Sequence, residues 1–296
     1  MRNWSRLGRR RPVSIAELPR PVGYVLGGGG SLGAVQIGML QALDEHYITP
    51  DIVTGTSVGS LNGSIIAQDP GGAVNRLGET WAKMTRDRVF PGSLLAQART
   101  LQHTRTHLFP ASGLAAVIGD FIGAEITFAD LALPFAAMAT DIATARPYVL
   151  SDGPVLPALL ASAAIPGIFP PVQLGSRLLY DGGLVANVPM RQALAMGARS
   201  LVVLDCNFPG RSLEAPASIA EVLFYTYTVT IRTQAIFEAP QAAADVPVIY
   251  LHGPEPHPIS PLDFRHTGTL VESAYRAARS FLDDLHITGP GLYGSP

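Results

Sequence analysis

Short apolar runs alternate along the chain with stretches whose apolar residues recur at helical spacing. Val22 to Leu26, Ile52 to Thr54, Ser200 to Asp205 and Val246 to Leu251 are apolar on both faces. That pattern suits strands of a parallel sheet covered by helices on either side. Pro134 to Asp141 and Arg146 to Ser151 read as a hairpin or adjacent strands, and Leu178 to Tyr180 as a short strand. The helical pattern appears after Ser31, over Val58 to Ala67, Ala73 to Thr85, Val155 to Ala163, Asn187 to Met196, Ala217 to Glu238 and Thr267 to Leu285. Such alternation predicts an α/β fold, a three-layer sandwich around a central, mainly parallel sheet. From Arg86 to Phe128 the strand signals vanish, and that stretch is expected to be a helical insertion or cap, broken at Pro91-Gly92 and Pro110. No internal repeat or linker divides the chain, so residues 21–288 are expected to form one domain, with a basic arm at 1–20 and a tail at 289–296.

The junctions between elements carry the chemistry. The first strand runs into Gly27, Gly28, Gly29 and Gly30, after which Ser31 can cap a helix. Unpaired amides at a helix start attract negative charge, so this loop is an anion cradle. The second strand runs into Gly55-Thr56-Ser57-Val58-Gly59, a G-x-S-x-G pattern. Small flanking residues allow a tight elbow that lifts the serine hydroxyl out at the carboxyl end of the sheet, where open α/β sheets place their sites. Farther on, Ser162 to Val172 is a proline-stiffened connection, and Leu178 to Tyr180 leads into Asp181-Gly182-Gly183.

Composition narrows the choices. The chain has 296 residues, 47% of them apolar and only 15% charged. That is ample for a core, yet no apolar run is long enough to cross a bilayer. The first residues lack the apolar segment of a secretory signal, so a cytoplasmic location is expected. Cys206 is the single cysteine, which excludes an internal disulfide framework. Arg2, Arg6, Arg9, Arg10, Arg11 and Arg20 stand against Glu17 in the first twenty residues, leaving 15 basic and 22 acidic residues elsewhere. Such an arm is a solvated tail or a peripheral contact with an anionic membrane. The acidic remainder does not suit nucleic acid. His103 and His107 fall at i, i+4, but no carboxylate or cysteine joins them at a ligand spacing, so no metal site is expected.

Gly28 to Gly33 formally matches the dinucleotide fingerprint G-x-G-x-x-G. A Rossmann site, however, needs an acid at the end of the second strand, where Gly55-Thr56-Ser57 stands instead. A phosphate-binding P-loop fails because no Lys-Ser or Lys-Thr follows, Lys83 being the only lysine. A serine hydrolase needs a nucleophile, a base and oxyanion donors. The elbow and the glycine loop supply the first and third. As base, His252, His257, His266 and His286 lie late enough for an α/β-hydrolase order but in unpersuasive settings, whereas Asp181 follows a strand and has two glycines behind it.

These four blocks, in this order over roughly Gly23 to Met196, resemble those of a bacterial patatin-like phospholipase. The resemblance implies a lipid acyl hydrolase of phospholipase A or carboxylesterase type that works through an acyl-serine intermediate. Its dyad would be Ser57 as nucleophile and Asp181 as base, with the Gly28, Gly29 and Gly30 amides as oxyanion hole. Gly33, Gly55, Gly59, Gly182 and Gly183 would support the motifs, and no cofactor is implied. The family usually carries Arg or Lys at the position of Leu32, so a positive charge beside the loop is missing here. Two other readings stay open: a non-enzymatic lipid-binding protein on the same fold, and an α/β-hydrolase using a late histidine. Oligomeric state is not legible.

Overall fold

The computed structural model describes residues 18–208, 215–216, 219–254 and 259–296. Most of the basic arm, Ala217 at the start of the expected long helix, and His257 lie outside them. The strands among the described residues are β1 (Val22–Leu26), β2 (Ile52–Thr56), β3 (Phe135–Asp141), β4 (Arg146–Leu150), β5 (Val172–Leu174), β6 (Arg177–Asp181), β7 (Ser200–Leu204), β8 (Pro247–Leu251) and β9 (Gly291–Gly294). They form one sheet in the order β5-β6-β3-β2-β1-β7-β8-β9, with β4 also paired to β3. From β3 through β9 every neighbouring pair is parallel, while β4, β5 and β6 add antiparallel pairs at one side. The sheet is therefore mixed and mainly parallel. It runs one strand beyond the expected limit at 246–251. Gly291–Gly294 has too few apolar residues to signal a strand, yet it pairs with β8 through its backbone.

The helices are α1 (Val35–Glu45), α2 (Val58–Gln68), α3 (Ala73–Ala82), α4 (Arg86–Val89), α5 (Leu94–Thr104), α6 (Ala111–Ile122), α7 (Val155–Ser162), α8 (Gly183–Ala186), α9 (Met190–Ala195), α10 (Ile219–Ala243) and α11 (Thr267–Asp283). Strand side chains alternate between two cores. Val202 and Leu204 of β7, with Ile249 and Leu251 of β8, join the core beneath α1, α2, α3, α6, α7 and α11. Leu201, Val203, Val248 and Tyr250 face α9 and α10, where Met190, Ala193, Ala235 and Ala239 cover them. Both faces of the sheet are thus sealed by helices, which is why its strands read as continuous apolar runs. In α11, Leu270, Ala274, Ala278 and Leu282 are buried at every fourth position, one stripe laid on α1. The approach is close because α1 has Gly38 at the crossing, where a methyl group would strike the Val271 carbonyl.

Two local expectations change. Ser31 does not cap a helix by its side chain. A 3-10 turn over Gly30–Ala34 precedes α1, and the Ser31 hydroxyl donates to the Ser260 carbonyl at 3.1 Å, tying the loop to a distant segment. His103 and His107 do not share a helix face, because α5 stops at Thr104 and Arg105 turns left-handed at φ 60°.

The register around β3 matters most for function. β4 runs along one side of β3, from Ala137 opposite Leu150 to Asp141 opposite Arg146. On the other side β2 pairs from Phe135 to Met138, ending with Thr56 opposite Met138. The next residue, Ala139, is opposite Asp181. β6 therefore takes over the edge of β3 at the point where β2 leaves it. Chain connectivity far apart in sequence places Asp181 one step beyond the end of β2, beside Ser57.

Candidate active site

Ser57 occupies the turn between β2 and α2 with φ 53° and ψ −127°, a conformation that non-glycine residues rarely adopt. Such a residue stores roughly 1–3 kcal/mol of strain and persists only where its surroundings over-determine it. Gly55 and Gly59 do this by close approach. A methyl group on Gly55 would meet the Gly59 backbone, and one on Gly59 would meet the Leu26 and Gly27 carbonyls. The Ser162 hydroxyl, at the end of α7, accepts the Ser57 N–H at 3.0 Å, and the Ser60 hydroxyl donates to the Ser57 carbonyl at 2.6 Å. Ser57 is held from both sides and is 6% exposed.

Asp181 ends β6 and is fully buried. Its Oδ1 accepts the Gly183 N–H at 2.7 Å and the Tyr227 hydroxyl at 3.3 Å. The Ser57 hydroxyl also acts on this carboxylate, lowering its pKa, while Oδ2 has no well-formed hydrogen bond. Burial dominates and pushes the pKa up to about 6, against the Gly183, Ser57 and Tyr227 donors that pull it down. Loss of hydration disfavours the charged form. The result is a better base than an exposed aspartate, whose pKa is about 3.9. Gly182 lets the turn lie on β3, since a methyl group there would strike the Met138 carbonyl.

The glycine loop closes the third side. Gly27 N–H donates to the Leu204 carbonyl at 3.0 Å and Gly28 N–H to the Asn187 carbonyl at 3.3 Å. Among the described residues, neither Gly29 nor Gly30 N–H donates to a backbone carbonyl. The three amides expected to act together are thus not equivalent: Gly28 is engaged by the Asn187 carbonyl, whereas among the described residues Gly29 and Gly30 have no such backbone acceptor. Gly33 lets this loop rest on Val58 at the start of α2, which a methyl group would displace.

Gly28, Gly29, Gly30 and Ser57 line one cavity of about 290 Å³. Most of its remaining wall is apolar, from Leu32, Phe90, Ile165, Phe208, Tyr225, Ile231 and Leu262. Leu32 is 4% exposed, so the position that lacks the cation contributes hydrocarbon instead. Among the described residues, Arg232 of α10 is the one charged side chain on the wall. His252, His266 and His286 do not line this cavity; His266 faces Asp263 at 3.5 Å, and His252 and His286 bond backbone carbonyls. Among the described residues no cluster of His, Cys, Asp and Glu suits a metal ion, and no helix is long and apolar enough to cross a membrane.

Sequence reasoning brings Ser57, Asp181 and the glycines together but misses three neighbours. Ser162 lies inside the proline-stiffened block without a signature of its own. Asn187, 1% exposed, gives its carbonyl to Gly28 and its N–H to Gln234 at 2.8 Å, with its Nδ2 buried and without a hydrogen bond. Tyr227 sits on α10 as one aromatic among many, and only the folded arrangement puts its hydroxyl on Asp181.

A family model described as patatin-like phospholipase matches residues 24–194. The chain is 32% identical over 188 residues to patatin-like phospholipase domain-containing protein 7 of Mus musculus, covering 62% of this chain and 13% of that protein. It is 27% identical over 303 residues to lysophospholipase nte1 of Aspergillus terreus, covering 91% and 18%. The chain therefore spans less than a fifth of the length of these curated relatives. Among solved structures, VipD from Legionella pneumophila matches with a TM-score of 0.48 at 15% identity, covering 96% of this chain and 72% of that one. With the matched segment running from β1 through α9 and so enclosing the glycine loop, the serine elbow and the Asp-Gly-Gly turn, the chain belongs to the patatin-like phospholipase family.

Proposed function

We propose that this chain is a lipid acyl hydrolase of phospholipase A or carboxylesterase type, with Ser57 as nucleophile and Asp181 as base. The observation that carries the reading is a strained serine whose hydroxyl acts on a fully buried carboxylate of raised pKa, the serine itself lining a cavity that also presents the glycine loop. Ser57 Oγ attacks the ester carbonyl carbon as its proton passes to Asp181, and the carbonyl electron pair moves to oxygen. Gly29 and Gly30 N–H receive that oxyanion; a donor of this kind is typically worth about 3–4 kcal/mol. Collapse breaks the bond to the alcohol, whose oxygen takes the proton from Asp181, leaving acyl-Ser57. Water then attacks the acyl carbon while Asp181 takes its proton, the fatty acid leaves, and the proton returns to Ser57.

A cavity of about 290 Å³ lies at the lower end of small-molecule sites, roughly 300–1,000 Å³. Together with its apolar wall, this favours an ester that presents one acyl chain, such as a lysophospholipid or a medium-chain ester, and the Aspergillus terreus relative is named as a lysophospholipase. A cytoplasmic setting, with the arginine arm in peripheral contact with anionic lipid, fits this substrate class.

The test is hydrolysis of medium-chain esters and lysophospholipids by purified protein. Ser57→Ala and Asp181→Asn are each expected to lose on the order of 10³-fold or more in kcat/KM, whereas His252→Ala and His266→Ala retain it. Full activity in either dyad variant contradicts the dyad. Loss in a histidine variant with Asp181→Asn still active would establish a histidine base instead, and saturable lipid binding without turnover would establish a binding protein.

A further inference from the structure

We propose that Tyr227 is a positioning residue for Asp181: its phenol, carried over the Asp-Gly-Gly turn by α10, favours the charged carboxylate and leaves Oδ2 for Ser57. The inference rests on the Ser57–Asp181 reading and adds a residue that lies beyond the segment matched by the family model, residues 24–194.

The geometry is specific. Both donors to Asp181 from the protein frame, Gly183 N–H at 2.7 Å and Tyr227 hydroxyl at 3.3 Å, converge on Oδ1. Oδ2 has no well-formed hydrogen bond. A carboxylate whose one oxygen is occupied by two fixed donors cannot rotate without losing both, so its other oxygen stays available to take a proton. The 3.3 Å bond is long for O–H···O, and charge-assisted bonds of this type shorten to about 2.5–2.7 Å. The contact therefore has room to tighten as Asp181 ionises and to relax as it takes the Ser57 proton. Burial and the neighbouring carboxylate hold the Tyr227 phenol well above its ordinary range, so it remains a donor throughout.

Two features show that the contact is built into the frame. Gly183 leaves space for the phenol; a methyl group there would collide with the Tyr227 hydroxyl. Seven residues along α10 from Tyr227, on the same face, Gln234 grips the same turn. Its Nε2 donates to the Gly183 carbonyl at 3.0 Å and the Leu184 carbonyl at 2.9 Å, and its Oε1 accepts the Asn187 N–H at 2.8 Å. The clamp fixes the height of α10 over the turn and thereby the reach of the phenol. Among the described residues, the other groups acting on Asp181 are the neutral Ser57 hydroxyl and the Gly183 amide, while Arg232, also on α10, is the charged side chain on the cavity wall.

The experiment is the pH dependence of kcat/KM for a medium-chain ester with wild type, Tyr227→Phe and Gly183→Ala, alongside a ¹³C carboxyl titration of Asp181 assigned with Asp181→Asn. Wild type should lose activity as pH falls through about 6. Tyr227→Phe removes a donor to the charged form, so its acid limb should move to higher pH by about half a unit to one unit, with activity recovering toward wild type above pH 8. Gly183→Ala, which displaces the phenol, should move the limb in the same direction. A role confined to packing would lower activity equally at every pH with the limb in place, and that result overturns the inference. The carboxyl titration reads the same shift without turnover. An inactive wild type would contradict the hydrolase reading while the titration still decides the Tyr227 contact, and an unmoved titration in Tyr227→Phe overturns it.

Discussion

As the proposed base, Asp181 is the residue on which chemistry and stability would pull in opposite directions. Its folded pKa of about 6 exceeds the ordinary value, so the folded state binds this proton more tightly than the unfolded chain. The stabilisation from protonating it is fully present below about pH 3.9 and is lost as pH rises through about 6. Above that the buried charge costs about 3 kcal/mol relative to an unburied aspartate, from the same shift. Asp181→Asn keeps an acceptor for Gly183 but carries no charge. Its melting temperature should exceed that of wild type at pH 8, with the gap closing toward pH 4; thermal denaturation at both values checks this. A gap that does not depend on pH would contradict the burial argument. At this scale much of the site is legible in the sequence, because an elbow at positive φ and a turn lying on a strand demand glycines, and glycines leave a pattern. Ser57 and Asp181 stand out through Gly55, Gly59, Gly182 and Gly183. Tyr227 and Asn187 do not, because one is a tyrosine in an apolar helix and the other acts chiefly through its backbone.

Among the elements, α10 departs furthest from what its sequence suggests. It is expected from Ala217, outside the described residues, to Glu238, but it runs through Pro240 to Ala243. Apolar residues on several sides give no preferred face, and exposed Val222, Tyr225, Val229, Ile236 and Phe237 share it with the buried Ala235 and Ala239. What matters is its polar contact with the Asp-Gly-Gly turn. Gln234→Ala would leave the Gly183 and Leu184 carbonyls and the Asn187 N–H without this partner. Each such loss costs about 1–3 kcal/mol, so urea denaturation should show a drop of at least that size, and kcat should fall at all pH values because the whole turn loosens. Unchanged stability would show that α10 does not clamp the site. The glycine loop teaches a related lesson. Its amides read alike in sequence, but the fold commits Gly28 to the Asn187 carbonyl and, among the described residues, gives Gly29 and Gly30 no backbone acceptor.

For the molecule as a whole, the parallel core was the easiest feature to read, since strands sealed on both faces must be apolar throughout. The short edge strand β9 was not, having two glycines and only Leu292 and Tyr293 to pack against the cores. Nor was the succession of β2 and β6 along one side of β3, which depends on pairing between segments far apart in the chain. That succession makes the site, because it converts two separate turns into one facing pair at the carboxyl end of the sheet. The central claim is that this pair is a working dyad. Its most direct measurement is labelling of the purified protein with a fluorophosphonate, followed by mass spectrometry of the modified peptide. The account predicts one adduct, on Ser57, formed rapidly in wild type above pH 6 and lost in Asp181→Asn. An adduct on another residue, or labelling of Ser57 at the wild-type rate in Asp181→Asn, would contradict it.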